Sequence, residues 1–155
     1  MTYKIKKAKL AQAKEIYALV KKAAEEDTML PRALGEIYES IRDFFVALDN
    51  ESGAVIGCCA LQIAWDNLAE VRSLAVVKED MGKGIGKALI EFCVEDAKAM
   101  KIKRVFALTY VEDLFIKMGF DKISKDELPH KVWSVCIKCH KFPDCDEQAV
   151  AIDLF

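Results

Sequence analysis

A glycine-rich stretch past the middle of the chain reads Met81-Gly82-Lys83-Gly84-Ile85-Gly86-Lys87-Ala88-Leu89. Glycines at alternate positions let the backbone adopt conformations that are closed to other residues, and they leave peptide N–H groups open to a ligand. The apolar periodicity that follows predicts a helix from Ile85 to Met100. The start of a helix presents unpaired N–H groups and the positive end of its dipole, and here Lys83 and Lys87 add charge. This stretch therefore predicts an anion site that suits a diphosphate.

The glycine-rich stretch has three alternative interpretations. Spaced glycines before a helix are also compatible with a tight strand-to-helix turn that has no further function. A Rossmann fingerprint is set aside because its glycines follow the first strand of a parallel unit. A phosphate loop of the NTPase type is set aside as well, since it needs Ser or Thr after Gly-Lys, and here Ala88 follows Lys87. The choice between an anion site and a plain turn depends on the rest of the chain.

Strand and helix patterns alternate on both sides of this stretch. We predict strands over residues 3–6, 44–48, 54–65, 68–77, 104–108 and 131–135, and helices over residues 9–24, 34–41, 85–100 and 111–118. The three strands between residues 44 and 77 follow one another through short turns, which favours antiparallel pairing. The strand–loop–helix–strand unit from Leu68 to Leu108 instead predicts a parallel crossover. The expected fold class is α/β, a mixed sheet flanked by helices.

Length and composition limit the kinds of protein that this chain can be. Its 155 residues correspond to one domain of ordinary size, which we place over residues 1–155. A net charge of −2 argues against nucleic acid as the main partner, because phosphate binding needs a basic excess. The N-terminus lacks an apolar segment of the signal-peptide type, and no apolar run approaches the roughly 20 residues that span a bilayer. We therefore expect a soluble, cytoplasmic protein without a membrane partner.

Two motifs in this order resemble the GNAT superfamily of N-acetyltransferases. The first is the strand end Leu74-Ala75-Val76-Val77, followed by the glycine-rich stretch and then Ala88-Leu89-Ile90. The second is Leu114-Phe115-Ile116-Lys117-Met118-Gly119-Phe120, an aromatic residue followed by Gly-Phe at the end of a short helix. The resemblance spans residues 3–133, nearly the whole chain.

The resemblance implies the GNAT fold and acetyl-CoA as co-substrate. The sheet should open beside the strand over residues 68–77 and leave a slot for the pantetheine arm. Backbone groups of Leu74, Ala75 and Val76 would hold that arm and the thioester carbonyl, while N–H groups from Gly82 to Lys87 would hold the diphosphate. The full set of donor-binding residues implied in this way is Leu74, Ala75, Val76, Met81, Gly82, Lys83, Gly84, Ile85, Gly86, Lys87 and Phe115.

Two positions depart from the family pattern. The loop usually begins with Arg or Gln, where this chain has Met81, so one side-chain contact to the donor is missing. The aromatic residue before Gly-Phe is usually Tyr, which can protonate the departing thiolate, whereas this chain has Phe115. Solvent or Tyr110 would then have to supply the proton. These departures keep open a second class of function, a module that senses acetyl-CoA without turnover.

Transfer requires a neutral amine, yet a lysine-like ammonium has a pKa of about 10.4. By the resemblance, Glu70 matches the strand position where several GNAT enzymes carry a catalytic glutamate, and it would act as general base directly or through water. The N–H group of Leu74 or Ala75 would stabilise the oxyanion. Because strand alternation places Arg72 on the same sheet face, a structural Glu70–Arg72 ion pair is an equally open interpretation.

Further segments look like the acetyltransferase domain of N-acetylglutamate synthases, among them residues 29–32, 45–47, 56–61, 69–76 and 128–129. This resemblance implies L-glutamate as acceptor, in the first step of arginine biosynthesis, with Arg32, Arg72 and Lys131 as candidate anchors for its carboxylates. Arginine suits this role because its guanidinium binds a carboxylate through two parallel hydrogen bonds. Glutamine, another amino acid, a small amine or a protein are alternative acceptors, and a homodimer is left open.

Three of the six cysteines, Cys58, Cys59 and Cys93, lie in apolar segments. Buried cysteine behaves as a small hydrophobic residue, and without a secretion signal a disulfide framework is not expected. We therefore predict three buried free thiols.

The other three cysteines belong to a C-terminal tail that we expect over residues 136–155. Cys136, Cys139 and Cys145 have a spacing that is compatible with zinc, although the second cysteine pair of a strong zinc motif is missing. A redox-responsive pair and plain packing of the tail are the alternatives. We favour plain packing and predict no resident metal.

Overall fold

The structure is a computed structural model that describes residues 2–26, 31–128 and 148–155. The strands in these ranges are β1 (Tyr3–Lys7), β2 (Phe44–Asp49), β3 (Val55–Trp65), β4 (Leu68–Val76), β5 (Arg104–Thr109), β6 (Asp121–Ile123) and β7 (Gln148–Asp153). The α-helices in the same ranges are α1 (Ala13–Glu25), α2 (Leu34–Glu39), α3 (Ile85–Ala99) and α4 (Glu112–Lys117). All of them were predicted from the sequence within a few residues, apart from β6 and β7.

The strands form one mixed sheet with the order β1-β2-β3-β4-β5-β7-β6. Neighbouring strands from β1 to β4 are antiparallel, as their short connections predicted. β4 and β5 are parallel and are connected through α3. The α/β mixed-sheet prediction is therefore confirmed.

The C-terminal strand β7 is the main departure from the prediction. Residues 148–153 pair with both β5 and β6 inside the sheet, whereas the sequence placed them in a tail. Arg104 Nε and Asp153 Oδ1 lie 2.8 Å apart across β5 and β7. The strand is hard to recognise because two of its buried residues, Ala149 and Ala151, are of a type with a weak strand preference. The strand predicted over residues 131–135 lies outside the described residues.

Helices cover both faces of the sheet. On one face, Ile16 and Val20 of α1 belong to the same buried cluster as Val46 of β2. On the opposite face, Leu89 of α3 belongs to a cluster with Phe45, the next residue along β2. Because successive side chains of a strand point to opposite faces, β2 contributes to both clusters. A sheet buried on two faces accounts for the continuous apolar runs of its central strands.

β4 and β5 separate partway along their length. Their parallel ladder begins at Leu68 and Arg104 and ends at Glu70 and Phe106, although β4 continues to Val76. The opening of the sheet that the family resemblance implied is therefore present. Peptide groups on this edge of β4 have no ladder partner in β5 beyond that point, and they border a cavity.

Candidate active site

A cavity of about 540 Å³ lies where β4 and β5 separate. Its walls come from β4, the end of β5, the glycine-rich stretch, α4 and the C-terminal half of α1. This volume is in the range of small-molecule sites. The predicted site residues that line it are Glu70, Arg72, Leu74, Ala75, Val76, Met81, Gly82, Gly84, Ile85, Gly86, Lys87 and Phe115.

Two glycines give the loop before α3 its shape. Gly82 and Gly84 each have a φ of +83°, a left-handed conformation that favours glycine. Gly84 is the N-cap residue of α3, and no side chain caps the first turn. The N–H groups of Ile85 and Gly86 therefore lack intrahelical partners at the cavity wall. Together with the helix dipole, these N–H groups could hold an anion, and the anion site stays a prediction.

The two lysines of the glycine-rich stretch have different environments. Lys87 lines the cavity, but Lys83 does not. Lys83 Nζ lies 2.7 Å from Oδ1 of Asp80, and this hydrogen bond raises the pKa of Lys83. The lysine charge offsets the Asp80 carboxylate, which lines the cavity and would otherwise repel an anion.

The last residues of β4 present alternating peptide groups to the cavity. Val77, directly after β4, donates its N–H to β3 at 2.8 Å, and Ala75 is paired with β3 as well. Since peptide groups alternate along a strand, the N–H of Ala75 faces β3, while those of Leu74 and Val76 face the edge left by β5. Of the two oxyanion donors that were predicted, only Leu74 thus lies on the cavity edge of the strand.

A β-bulge interrupts β4 just before these residues. The register against β3 shifts between Cys58 and Ala60, and Ser73 lies at this shift with a φ of +56°. A left-handed conformation costs a residue with a side chain about 1–2 kcal/mol. Ser73 was not among the predicted site residues, since its only sequence signal is a small polar residue directly before the apolar end of β4.

Two aromatic residues on the β5 and α4 side also line the cavity. Phe115 is 2% exposed and packs edge-on against Phe120, with ring centroids 5.1 Å apart. Tyr110 follows β5 directly. Phe115 has no O–H group, and Tyr110 is the one tyrosine among the described residues that line the cavity.

A polar gap lies on the sheet face that carries α1, between two apolar clusters. Arg72 of β4 is in register with Ala60, which belongs to the apolar cluster that includes Ile16 and Val20 of α1. Glu70 is in register with Phe106, which belongs to a second apolar cluster with Leu68. Glu70 Oε1 lies 3.8 Å from Arg72 Nε, and each side chain is 17% exposed. Arg72 also donates to Oε1 of Gln62 at 2.5 Å. The ion pair that the sequence left as an alternative is therefore formed, and it lies in the cavity wall.

Arg32 reaches this polar gap from the segment before α2. Its side chain is 5% exposed, and it donates to the hydroxyl groups of Ser40 at 3.2 Å and of Ser73 at 3.4 Å. Burial and the charge of Arg72 lower the pKa of Arg32. The Glu36 carboxylate is 3.9 Å away and largely exposed, and Arg32 Nε has no hydrogen-bond partner among the described residues. A buried cation with so little compensation is suited to binding an anion.

Four predicted residues lie outside the described residues, namely Lys131, Cys136, Cys139 and Cys145. The interpretations that depend on them stay predictions. Within the described ranges, no group of three His, Cys, Asp or Glu side chains could hold a metal ion. Cys58, Cys59 and Cys93 are fully buried and free, as predicted. None of the helices in the described part of the chain has both the length and the apolar character needed to cross a membrane.

Comparison with known proteins identifies the family. A profile of the acetyltransferase (GNAT) domain matches residues 40–122, more than half of the chain. An uncharacterised N-acetyltransferase of Chlorobaculum tepidum is 41% identical over 146 residues, which cover 94% of this chain and 93% of that protein. The chain belongs to the GNAT acetyltransferase family.

More distant similarities concern amino-acid acetyltransferases. The amino-acid acetyltransferase of Mycobacterium tuberculosis is 35% identical over 96 residues, which cover 61% of this chain and 55% of that protein. Rv2747 from Mycobacterium tuberculosis, in complex with CoA and NLQ, has a TM-score of 0.83 at 26% identity and covers 98% of this chain and 99% of its own. N-acetylglutamate synthase from Neisseria gonorrhoeae, with coenzyme A and N-acetyl-glutamate, has a TM-score of 0.87 at 24% identity. The structural match includes all of this chain but only 36% of that enzyme, so this similarity concerns the fold.

Proposed function

We propose that this protein transfers the acetyl group of acetyl-CoA to the α-amino group of L-glutamate. Membership in the GNAT acetyltransferase family makes acetyl-CoA the donor. The observation that carries the choice of acceptor is the cationic pair Arg32 and Arg72, whose side chains are 5% and 17% exposed and lie beside the cavity wall that would hold the thioester. Similarity to amino-acid acetyltransferases supports an amino acid in this position.

The donor would bind along the opened edge of β4. Its diphosphate would accept hydrogen bonds from the N–H groups at the start of α3, with Lys87 adding charge. The amide groups of the pantetheine arm would pair with Leu74 and Val76, whose peptide groups face the gap left by β5. The thioester carbonyl would then lie next to the Leu74 N–H, which stabilises the oxyanion as the amine attacks.

Glu70 would take the proton that the amine must lose. In the structure its carboxylate is paired with Arg72, with 3.8 Å between Oε1 and Nε. A bound acceptor changes this arrangement, because Arg72 can turn to the carboxylate of the substrate and leave Glu70 to the ammonium group. The neutral amine attacks the thioester carbon, the C–S bond breaks as the amide forms, and the nitrogen gives up its second proton to solvent. The thiolate takes a proton from Tyr110 or solvent.

The charge of the polar gap supports a substrate with two carboxylates. Burial and then the charge of Arg72 lower the pKa of Arg32, although Glu36, Asp43 and Glu70 oppose this shift, and Glu70 is also paired with Arg72. The α-carboxylate of an amino acid would neutralise one guanidinium, and a side-chain carboxylate would neutralise the other. A dicarboxylic amino acid thus fits the two cations better than glutamine, which brings a single negative group.

Release of free coenzyme A with a panel of acceptors tests the proposal. The panel contains L-glutamate, L-glutamine, L-lysine and a short peptide with a free N-terminus, and glutamate should give the highest kcat/KM. Arg32→Gln should raise the KM for glutamate roughly tenfold or more, since charge-assisted hydrogen bonds are lost. Arg104→Gln is the matched control, because it removes a guanidinium on β5 that does not line the cavity. Turnover of peptides only, or no acceptor-dependent release, contradicts the proposal.

A further inference from the structure

The β4 bulge is held by a buried thiol on the neighbouring strand. Cys58 of β3 is fully buried, and its Sγ lies 3.4 Å from the backbone oxygen of Ser73. The same sulfur is hydrogen-bonded to the backbone of Ala75, its register partner across β3 and β4. The Cys58 side chain therefore contacts both Ser73 in the bulge and Ala75, where regular pairing with β3 resumes.

The bulge needs such a contact because it leaves backbone groups without ladder partners. An extra residue in one strand has no opposite number, and its polar groups lose their regular hydrogen bonds. A buried carbonyl without a partner is costly, and a left-handed serine adds strain. The Cys58 S–H donates to the Ser73 carbonyl and so satisfies it. Arg32 holds the Ser73 hydroxyl through a second hydrogen bond, at 3.4 Å.

The Cys58 thiol keeps its proton at neutral pH. Burial raises the pKa of Cys58 to about 12, although the Ala75 backbone and the charge of Arg32 oppose this shift. The side chain therefore stays a neutral S–H donor. The side chain is a small one within the apolar cluster that includes residues of α1.

We propose that Cys58 is a positioning residue for acetyl transfer, whose thiol fixes the bulge so that the Leu74 N–H faces the thioester carbonyl. This inference rests on the proposed placement of the donor along β4. Cys58 does not line the cavity and touches no substrate, so it acts only through Ser73 and the residues that follow. Small displacements of an oxyanion donor are costly to the rate, because stabilisation of developing charge depends on geometry.

Three variants test this role, namely Cys58→Ala, Cys58→Ser and the control Cys59→Ala. Cys59 is equally buried on the same strand but contacts Cys93, with 3.8 Å between the two sulfur atoms, on the α3 side of the sheet. Both alanine variants should lose similar stability in urea unfolding. Only Cys58→Ala should also lose kcat, by about tenfold, the size expected for one hydrogen bond that fixes a reacting geometry. Cys58→Ser keeps a donor and should recover most of that loss.

Two outcomes overturn the inference: equal kcat in the two alanine variants, or a serine variant as slow as Cys58→Ala, since either leaves packing as the only role. Amide hydrogen exchange at residues 74–76 gives a readout that does not need turnover. It should be faster in Cys58→Ala than in Cys59→Ala, and equal exchange again overturns the inference. If the wild type acetylates none of the amines, the proposed function fails while the exchange comparison still decides the role of Cys58.

Discussion

Replacing Gly86 with alanine separates the approach of a ligand from the conformation of the backbone. Gly86 lies in the first turn of α3 and, unlike Gly82 and Gly84, does not have a positive φ. A β carbon at this position would lie 3.5 Å from Leu114 Cδ2, which is an ordinary van der Waals contact. The fold can therefore accommodate alanine here, so a loss of binding in this variant would report on a ligand at the cavity wall.

The position of Gly86 in the first turn of α3 sets the expected changes in stability and in acetyl-CoA affinity. Alanine is favoured over glycine in a helix by up to about 1 kcal/mol, and roughly half of that applies in a first turn. Gly86→Ala should therefore unfold at slightly higher urea concentration. The new carbon stands at the wall where the first-turn N–H groups would meet the diphosphate. Loss of one charge-assisted hydrogen bond should weaken acetyl-CoA binding roughly 10- to 100-fold.

Calorimetric titration with acetyl-CoA and urea unfolding of the same sample measure the two effects. Gly35→Ala is the matched control, because Gly35 is likewise the second residue of its helix, α2, and a β carbon there would meet nothing within 4 Å. It should gain stability without a change in acetyl-CoA affinity. If Gly86→Ala binds acetyl-CoA as tightly as the wild type, the diphosphate is not held at the start of α3.

Three further predictions concern packing, the base and pH. Gly57→Ala should lower stability by about 1–3 kcal/mol through overpacking, because a β carbon would lie 3.0 Å from Ile85 Cγ2; an unchanged urea midpoint would contradict this. Glu70→Gln should lower kcat about 100-fold or more with little change in acetyl-CoA affinity, and wild-type turnover would exclude Glu70 as base. The Arg104 hydrogen bond lowers the pKa of Asp153, so the pair contributes stability above pH ~4 that is lost as pH falls through the lowered value. Asp153→Asn should flatten the acid limb of the stability curve, and an equally steep limb would argue against it.

Local patterns in the sequence were enough to place most strands and helices and the glycine-rich loop before α3. The glycines at 82 and 84 and the helix that follows act within a few residues of one another, and such short-range signals survive in the sequence. The family motifs combine the same local signals, and both the GNAT membership and the opening beside β4 were found as implied. β7 was not predicted, because its alanines have a weak local preference for a strand. Its place in the sheet depends on pairing with β5 and β6, which are distant in sequence or unpredicted.

The sequence by itself determined the family, and with it the class of chemistry, because both family motifs are short local patterns in the expected order. Only the tertiary structure decided which groups meet: Lys83 with Asp80, the Arg32 side chain with the Ser73 hydroxyl, and the Cys58 thiol with the Ser73 backbone oxygen. It also decided in favour of the Glu70–Arg72 ion pair, which the sequence had left open. The Ser73 contacts join residues far apart in the chain, so they depend on strand register, a bulge and helix packing. Strand periodicity predicts which face a residue occupies, but a bulge changes that relation at a single position, and here it does so beside the cavity.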